Sequence, residues 1–157
     1  MPEKTEASKK DREAASLIHR AVGEIALFLG QHDGWRFDFL SDLHWRVLPP
    51  VALRQYKLVQ GPGGGTVGYI SWARVGEEVE RRLLVGERRI KPSEWNSGAK
   101  AVVMDLACPE SARQRILGGI QVEVFSDAEE LYVIERNKEG AIELRLVEPW
   151  REEEKKG

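Results

Sequence analysis

Between Ala14 and Leu29 the apolar residues Ala14, Leu17, Ile18, Ala21, Val22, Ile25, Phe28 and Leu29 recur at spacings of three and four. That period predicts an amphipathic helix, with Gly30 placed where a left-handed residue commonly closes one. His19 falls on the polar side of this helix and reads as a solvated surface residue. A loop follows through Gln31-His32-Asp33-Gly34, and Ser41–Leu48 can make two helical turns that Pro49-Pro50 would stop. The period then changes. Leu53–Val59 and Val67–Ala73 are rich in aromatic and branched residues and predict strands. Between them lies Gly61-Pro62-Gly63-Gly64-Gly65-Thr66, which lacks the Gly-Lys-Ser/Thr ending of a phosphate-binding loop and so predicts a hairpin connection.

A helical stretch over Val75–Val85 leads into the basic connection Glu87-Arg88-Arg89-Ile90-Lys91-Pro92, and Ser93-Glu94-Trp95 predicts a single turn before Gly98. Ala101–Ala107 is an apolar run with one carboxylate, Asp105, and predicts a buried central strand. Pro109 opens a helix over Glu110–Leu117 that Gly118-Gly119 would break. Ile120–Phe125, Leu131–Glu135 and Ile142–Val147 read as closing strands, the last two joined through Asn137-Lys138-Glu139-Gly140. The order predicts an α+β fold with a single mixed, largely antiparallel sheet and packed helices. It is also the element order of N-acetyltransferase-type (GNAT-like) domains, where the strand before a helix splays from its neighbour to admit a pantetheine arm. By composition, residues 1–12 predict a flexible tail, 13–150 a single domain and 151–157 a charged tail.

The 157 residues are 41% hydrophobic and 32% charged, a globular profile rather than a disordered one. Lys+Arg number 24 and Asp+Glu 26, so the formal charge is −2 and argues against a nucleic-acid coat. Cys108 is the one cysteine, which excludes an internal disulfide and a multi-cysteine zinc site. With no apolar run long enough to span a bilayer and no signal-peptide core, the chain predicts a reduced, cytoplasmic protein.

Several short groups, taken in order, carry more. Val47-Leu48-Pro49-Pro50 is followed at close range by Gln55-Tyr56, then by Val67-Gly68-Tyr69-Ile70-Ser71-Trp72-Ala73 and Glu78. Trp95-Asn96-Ser97-Gly98 stands just before the apolar run with Asp105 and Pro109. In this order and spacing they resemble the RTX-toxin-activating lysine acyltransferases, the hemolysin-activator family, over roughly residues 23 to 110. The resemblance implies transfer of a fatty acyl group from acyl carrier protein, as its 4'-phosphopantetheine thioester, to internal lysines of an RTX protoxin. No bound cofactor is implied, and monomer and homodimer are both left open.

A histidine and an aspartate are that family's catalytic pair, and the aspartate position falls on Asp105. Where the family has Ala-Pro-Phe-Gly next, this chain has Cys108-Pro109-Glu110-Ser111 after Ala107. Counted back without gaps from Val47, the histidine position falls on Trp35. His32-Asp33-Gly34-Trp35 keeps a His-x-x-Trp spacing, so either His32 takes the role through a shifted loop or the site has no histidine. A histidine near pKa ~6.5 is a suitable base for a lysine ammonium, and a carboxylate on an apolar strand can orient it. The bland alternatives are a solvated loop histidine and an aspartate paired with an arginine such as Arg89.

Cys108 could in principle accept an acyl group as a nucleophile, but reads better as a buried residue. Arg81, Arg82, Arg88, Arg89 and Lys91 form the densest basic stretch, either a solvated face or a docking surface for an acidic carrier protein. Two other functions remain open from sequence: a catalytically impaired homologue acting as a binding module, and a generic acyl-CoA-dependent N-acyltransferase. The second lacks support from a glycine-rich turn after Asp105, where such enzymes hold pyrophosphate.

Overall fold

The computed structural model describes residues 2–149, with side chains from residue 8 onward. The charged tail expected over 151–157 lies outside them. The first compact unit ends at Gln55 and the second begins at Tyr56, inside the stretch read from sequence as one domain.

In the first unit, helix α1 spans Pro2–Leu29. The polar residues expected as a tail are thus helical from Pro2 onward, consistent with their content of Ala, Glu and Lys, all good helix formers. Ile25 and Leu29 are the buried positions on its last turns, and α1 packs against α3 (Leu48–Ala52). Gly30 caps no left-handed turn; left-handed glycines among the described residues are Gly64, Gly86 and Gly140. Between α1 and α3 the chain makes a run of turns, a 3-10 turn at Leu40–Asp42 and the short helix α2 (Leu43–Arg46). Pro49-Pro50 does not stop a helix. It opens α3, where the missing N–H groups have no helical acceptor to lose.

The second unit is built on a five-stranded sheet in the order β1-β2-β3-β4-β5. Strands β1 (Tyr56–Gln60) and β2 (Thr66–Val75) form the expected hairpin, closed by Gly64 at φ 82°. β3 (Lys100–Ala107) runs antiparallel to β2, β4 (Leu131–Arg136) parallel to β3, and β5 (Ile142–Leu146) antiparallel to β4. The α+β class and the mixed, largely antiparallel sheet are therefore as the sequence predicts, and consistent with a GNAT-like arrangement.

Each face of the sheet carries one helix. Helix α4 (Glu77–Leu84) buries Val79 and Leu83 against Ala73, Val75, Val102 and Met104. Helix α5 (Arg113–Glu123) buries Ile116, Leu117 and Ile120 against Ile70, Trp72 and Val103. Here the sequence reading needs correction. Gly118-Gly119 do not break α5, and the expected strand Ile120–Phe125 is instead the last turn of α5, through Glu123, with Val124 as its cap and Phe125 beyond it. Each helical glycine costs about 1 kcal/mol, but burying Ile116, Leu117 and Ile120 returns several.

Candidate active site

Asp105 is 4% exposed on β3. The ladder to β2 pairs Ser71 with Asp105 and then Trp72 with Val103, passing over Met104. One extra residue on one strand is a β-bulge, and it changes the face to which the following side chain turns. Ala101 and Val103 face α5, as do Ile70 and Trp72 on β2. Ser71, between those two, faces the α4 side, and its register partner Asp105 is brought to that side with it.

An ionised carboxylate at this depth needs a partner. Arg88 supplies it from the connection after α4: Nη2 donates to Asp105 Oδ1 at 3.2 Å and to the carbonyl of Met104. An arginine partner is what the sequence leads one to expect, with Arg89 as the example, and Arg88, next to it in the chain, is such a partner. Beside the pair, Ser71 is fully buried and its hydroxyl has no hydrogen-bond partner among the described residues.

The same strand opens on its other edge. The register with β4 ends at Val103 paired with Val133, although β3 continues to Ala107 and β4 to Arg136. Asp105 lies on the stretch of β3 past that parting. Its backbone there is the kind of strand edge that can pair with an extended amide chain.

His32 belongs to the first unit, in the turns after α1. Its N–H donates to Leu29 O at 3.0 Å, and its carbonyl accepts from Trp35 N and Arg36 N, each at 3.0 Å. The imidazole is half-buried between two rings, with centroids 4.5 Å from Phe28 and 6.3 Å from Trp35. The two residues that compete for the histidine position are thus ring neighbours in one turn. Arg46 holds Trp35 from the other side, its guanidinium carbon 5.4 Å from the ring centroid while it pairs with Asp38. A cavity of about 170 Å³ opens here, lined by Leu29, Trp35, Arg46 and Val47 among others. His44 and His19 are exposed on helices α2 and α1.

The basic stretch is less free than its sequence suggests. Arg82 is paired with Glu94, and Arg88 is turned inward to Asp105, which leaves Arg81, Arg89 and Lys91 as its exposed members. Cys108, just past β3, has its thiol pushed up from the ordinary value by burial, a rise that nearby Arg113 partly offsets. A thiol so placed is mostly protonated at neutral pH and is a poor nucleophile. Among the described residues no cluster of three or more His, Cys, Asp or Glu could hold a metal ion.

Trp95-Asn96-Ser97-Gly98 has a structural account. Trp95 is buried against the α4 face, and the Ser97 hydroxyl donates to Glu94 O at 2.8 Å while accepting from Gly76 N at 3.2 Å. A Cβ on Gly98 would lie 2.5 Å from the Gly76 backbone, so only glycine passes there. This bracket fixes the start of both α4 and β3, the two elements that flank the Arg88–Asp105 pair. From sequence Arg88 stands only as a member of the basic stretch and Ser71 only within the Val67–Ala73 motif, neither as a neighbour of Asp105. No periodicity separates Arg88 from Arg89, and a bulge leaves no mark in the residue types around it.

A model of the RTX toxin acyltransferase family matches residues 15–150. The lysine-acyltransferase RtxC of Vibrio cholerae is 27% identical over 109 residues, which cover 69% of this chain and 71% of that protein. An uncharacterized protein of Synechocystis, sll0720, is 22% identical over 107 residues, covering 68% of this chain and 73% of its own length. The matched span takes in His32, Trp35, the bulged strand with Asp105 and the bracket at Gly98, and the chain belongs to the RTX toxin acyltransferase family, as an acyltransferase of the toxin-activating kind.

Proposed function

We propose that this acyltransferase moves a fatty acyl group from the 4'-phosphopantetheine thioester of acyl carrier protein to the ε-amino groups of internal lysines in an RTX protoxin. The observation that carries the reading is the parting of β3 from β4 beyond Val103, with Asp105 buried on the parted stretch. A pantetheine arm is an extended chain with two amides, and a strand edge released from its ladder offers it backbone donors and acceptors. The lysine acceptor is supported by the name of the Vibrio relative, a lysine-acyltransferase.

The chemistry asks for a deprotonated amine held against a thioester carbonyl. The lysine ammonium loses one proton to solvent, and the amine nitrogen then bonds to the carbonyl carbon and gives a second proton to a base as the carbon–sulfur bond breaks. The pantetheine thiolate leaves and takes up the proton. The roles implied by the resemblance fall on His32 as base, worth about 10²–10⁴ in rate, and on Asp105 as the carboxylate that stabilises the charged imidazole. Exposed Arg81, Arg89 and Lys91 suit an acidic carrier protein, chiefly by speeding encounter. Such a protein acts in the cytoplasm, before the toxin is exported.

The test mixes the protein with acyl-acyl carrier protein and a lysine-rich RTX acceptor and looks for the acyl mass increment on the acceptor. The expected result is transfer that falls sharply in Asp105→Ala and in His32→Ala. Transfer from acyl-coenzyme A and not from the carrier thioester would replace the donor. Binding of both partners without transfer would replace the reaction by a binding role, and an unaffected His32→Ala enzyme would remove His32 from it.

A further inference from the structure

We infer that Arg88 is a positioning residue for Asp105. The inference rests on the reading of Asp105 as a carboxylate of the reaction. The bulge that turns Asp105 to the α4 side leaves Met104 without a register partner on either neighbouring strand. A carbonyl left over in this way keeps its local geometry only if something bonds it. Arg88 bonds both products of the bulge from one nitrogen: the Met104 carbonyl and Asp105 Oδ1. Its side chain is 24% exposed and that of Asp105 3%, so the contact is screened little by solvent. Arg88 is carried by a tight connection, with Gly86 left-handed at φ 93° and Arg88 N bonded to Gly86 O at 3.1 Å. The guanidinium therefore comes from a fixed backbone and pins the carboxylate together with the backbone kink that aims it.

The test measures transfer per folded molecule in the full chain for Arg88→Met, Arg88→Lys, Asp105→Asn and the Arg88→Met/Asp105→Asn double variant, with thermal melting to set the folded fraction. Misplacing a reacting group by an ångström costs on the order of 100-fold, and Arg88→Met is expected to lower kcat by that factor with KM for the carrier thioester little changed. Arg88→Lys recovers part of the loss, because an ammonium keeps the charge but not the planar fork. The double variant is no slower than Asp105→Asn alone. Independently of turnover, amide exchange at Met104–Leu106 rises in Arg88→Met. Wild-type kcat in folded Arg88→Met, additive losses in the double variant, or unchanged exchange would each overturn the inference while leaving Asp105 in place. A fully active Asp105→Asn enzyme would instead overturn the reading of Asp105, and the inference with it.

Discussion

Asp105 and His32 sit in opposite kinds of surroundings. Asp105 is on a central strand, nearly without exposure, with its direction set by a bulge and held by an arginine. His32 is half-buried in a chain of consecutive turns, with the rings of Phe28 and Trp35 against it. A strand residue is placed by the ladders and packing of the whole sheet. A turn residue is placed by a few local backbone bonds, so an insertion or a shift of three positions is accommodated there at little cost. The contrast explains why the aspartate position is unambiguous along the chain while the histidine position is contested between His32 and Trp35.

The largest effect that separates the two regions is on stability. Asp105→Ala leaves the Arg88 guanidinium without its carboxylate and should cost about 3 kcal/mol in denaturant unfolding. His32→Ala should stay within about 1 kcal/mol of wild type in the same measurement, since a turn residue has few contacts to lose. Equal losses would mean that His32 is as much a part of the scaffold as Asp105. The glycines of the two regions sharpen the comparison. Gly98→Ala drives a Cβ into the Gly76 backbone and should destabilise by about 1–3 kcal/mol. Gly34, two residues after His32, has nothing within 4 Å of an added Cβ and no left-handed φ, so Gly34→Ala should be neutral or gain up to about 1 kcal/mol.

The smallest effect is read at Cys108. Burial holds this thiol protonated, so its alkylation rate should keep rising with pH beyond the point where an exposed thiol levels off. Arg113 opposes the effect of burial, and Arg113→Ala should move the alkylation midpoint further up. A midpoint at or below that of a free thiol would show that the end of β3 is open to solvent.

Period and residue type made α1, the β1–β2 hairpin, α4, the turn at Trp95 and β3 legible: α4 buries one face at helical spacing, and β3 is an apolar run buried on both faces. The misreadings share a cause: a residue type with a strong local preference was overruled by packing. Pro49-Pro50 open a helix because that position loses no hydrogen bond, and Gly118-Gly119 stay helical because their neighbours are buried on the sheet. Leu53 and Arg54, read as the start of a strand, close α3 instead, with Arg54 left-handed at φ 59°. Asp105 was legible as a carboxylate in an apolar run. What was not legible is the single skipped pairing at Met104, which decides the face it uses and brings Arg88 and Ser71 to it.

The short seam between β3 and β4 has a consequence for how the sheet holds together. Three registered pairs join the β1–β2–β3 meander to the β4–β5 hairpin, whereas β2 and β3 share seven. Across the seam Leu131 and Val133 pack with Ala101, Val103 and α5 on one face, and Ile134 packs with Val102, Met104 and α4 on the other. Apolar contacts carry no fixed direction, so they permit small tilts that a hydrogen-bonded ladder resists. The hairpin is thus attached by the shortest ladder in the sheet, and the angle between the sheet's two halves is the one held by the fewest registered pairs.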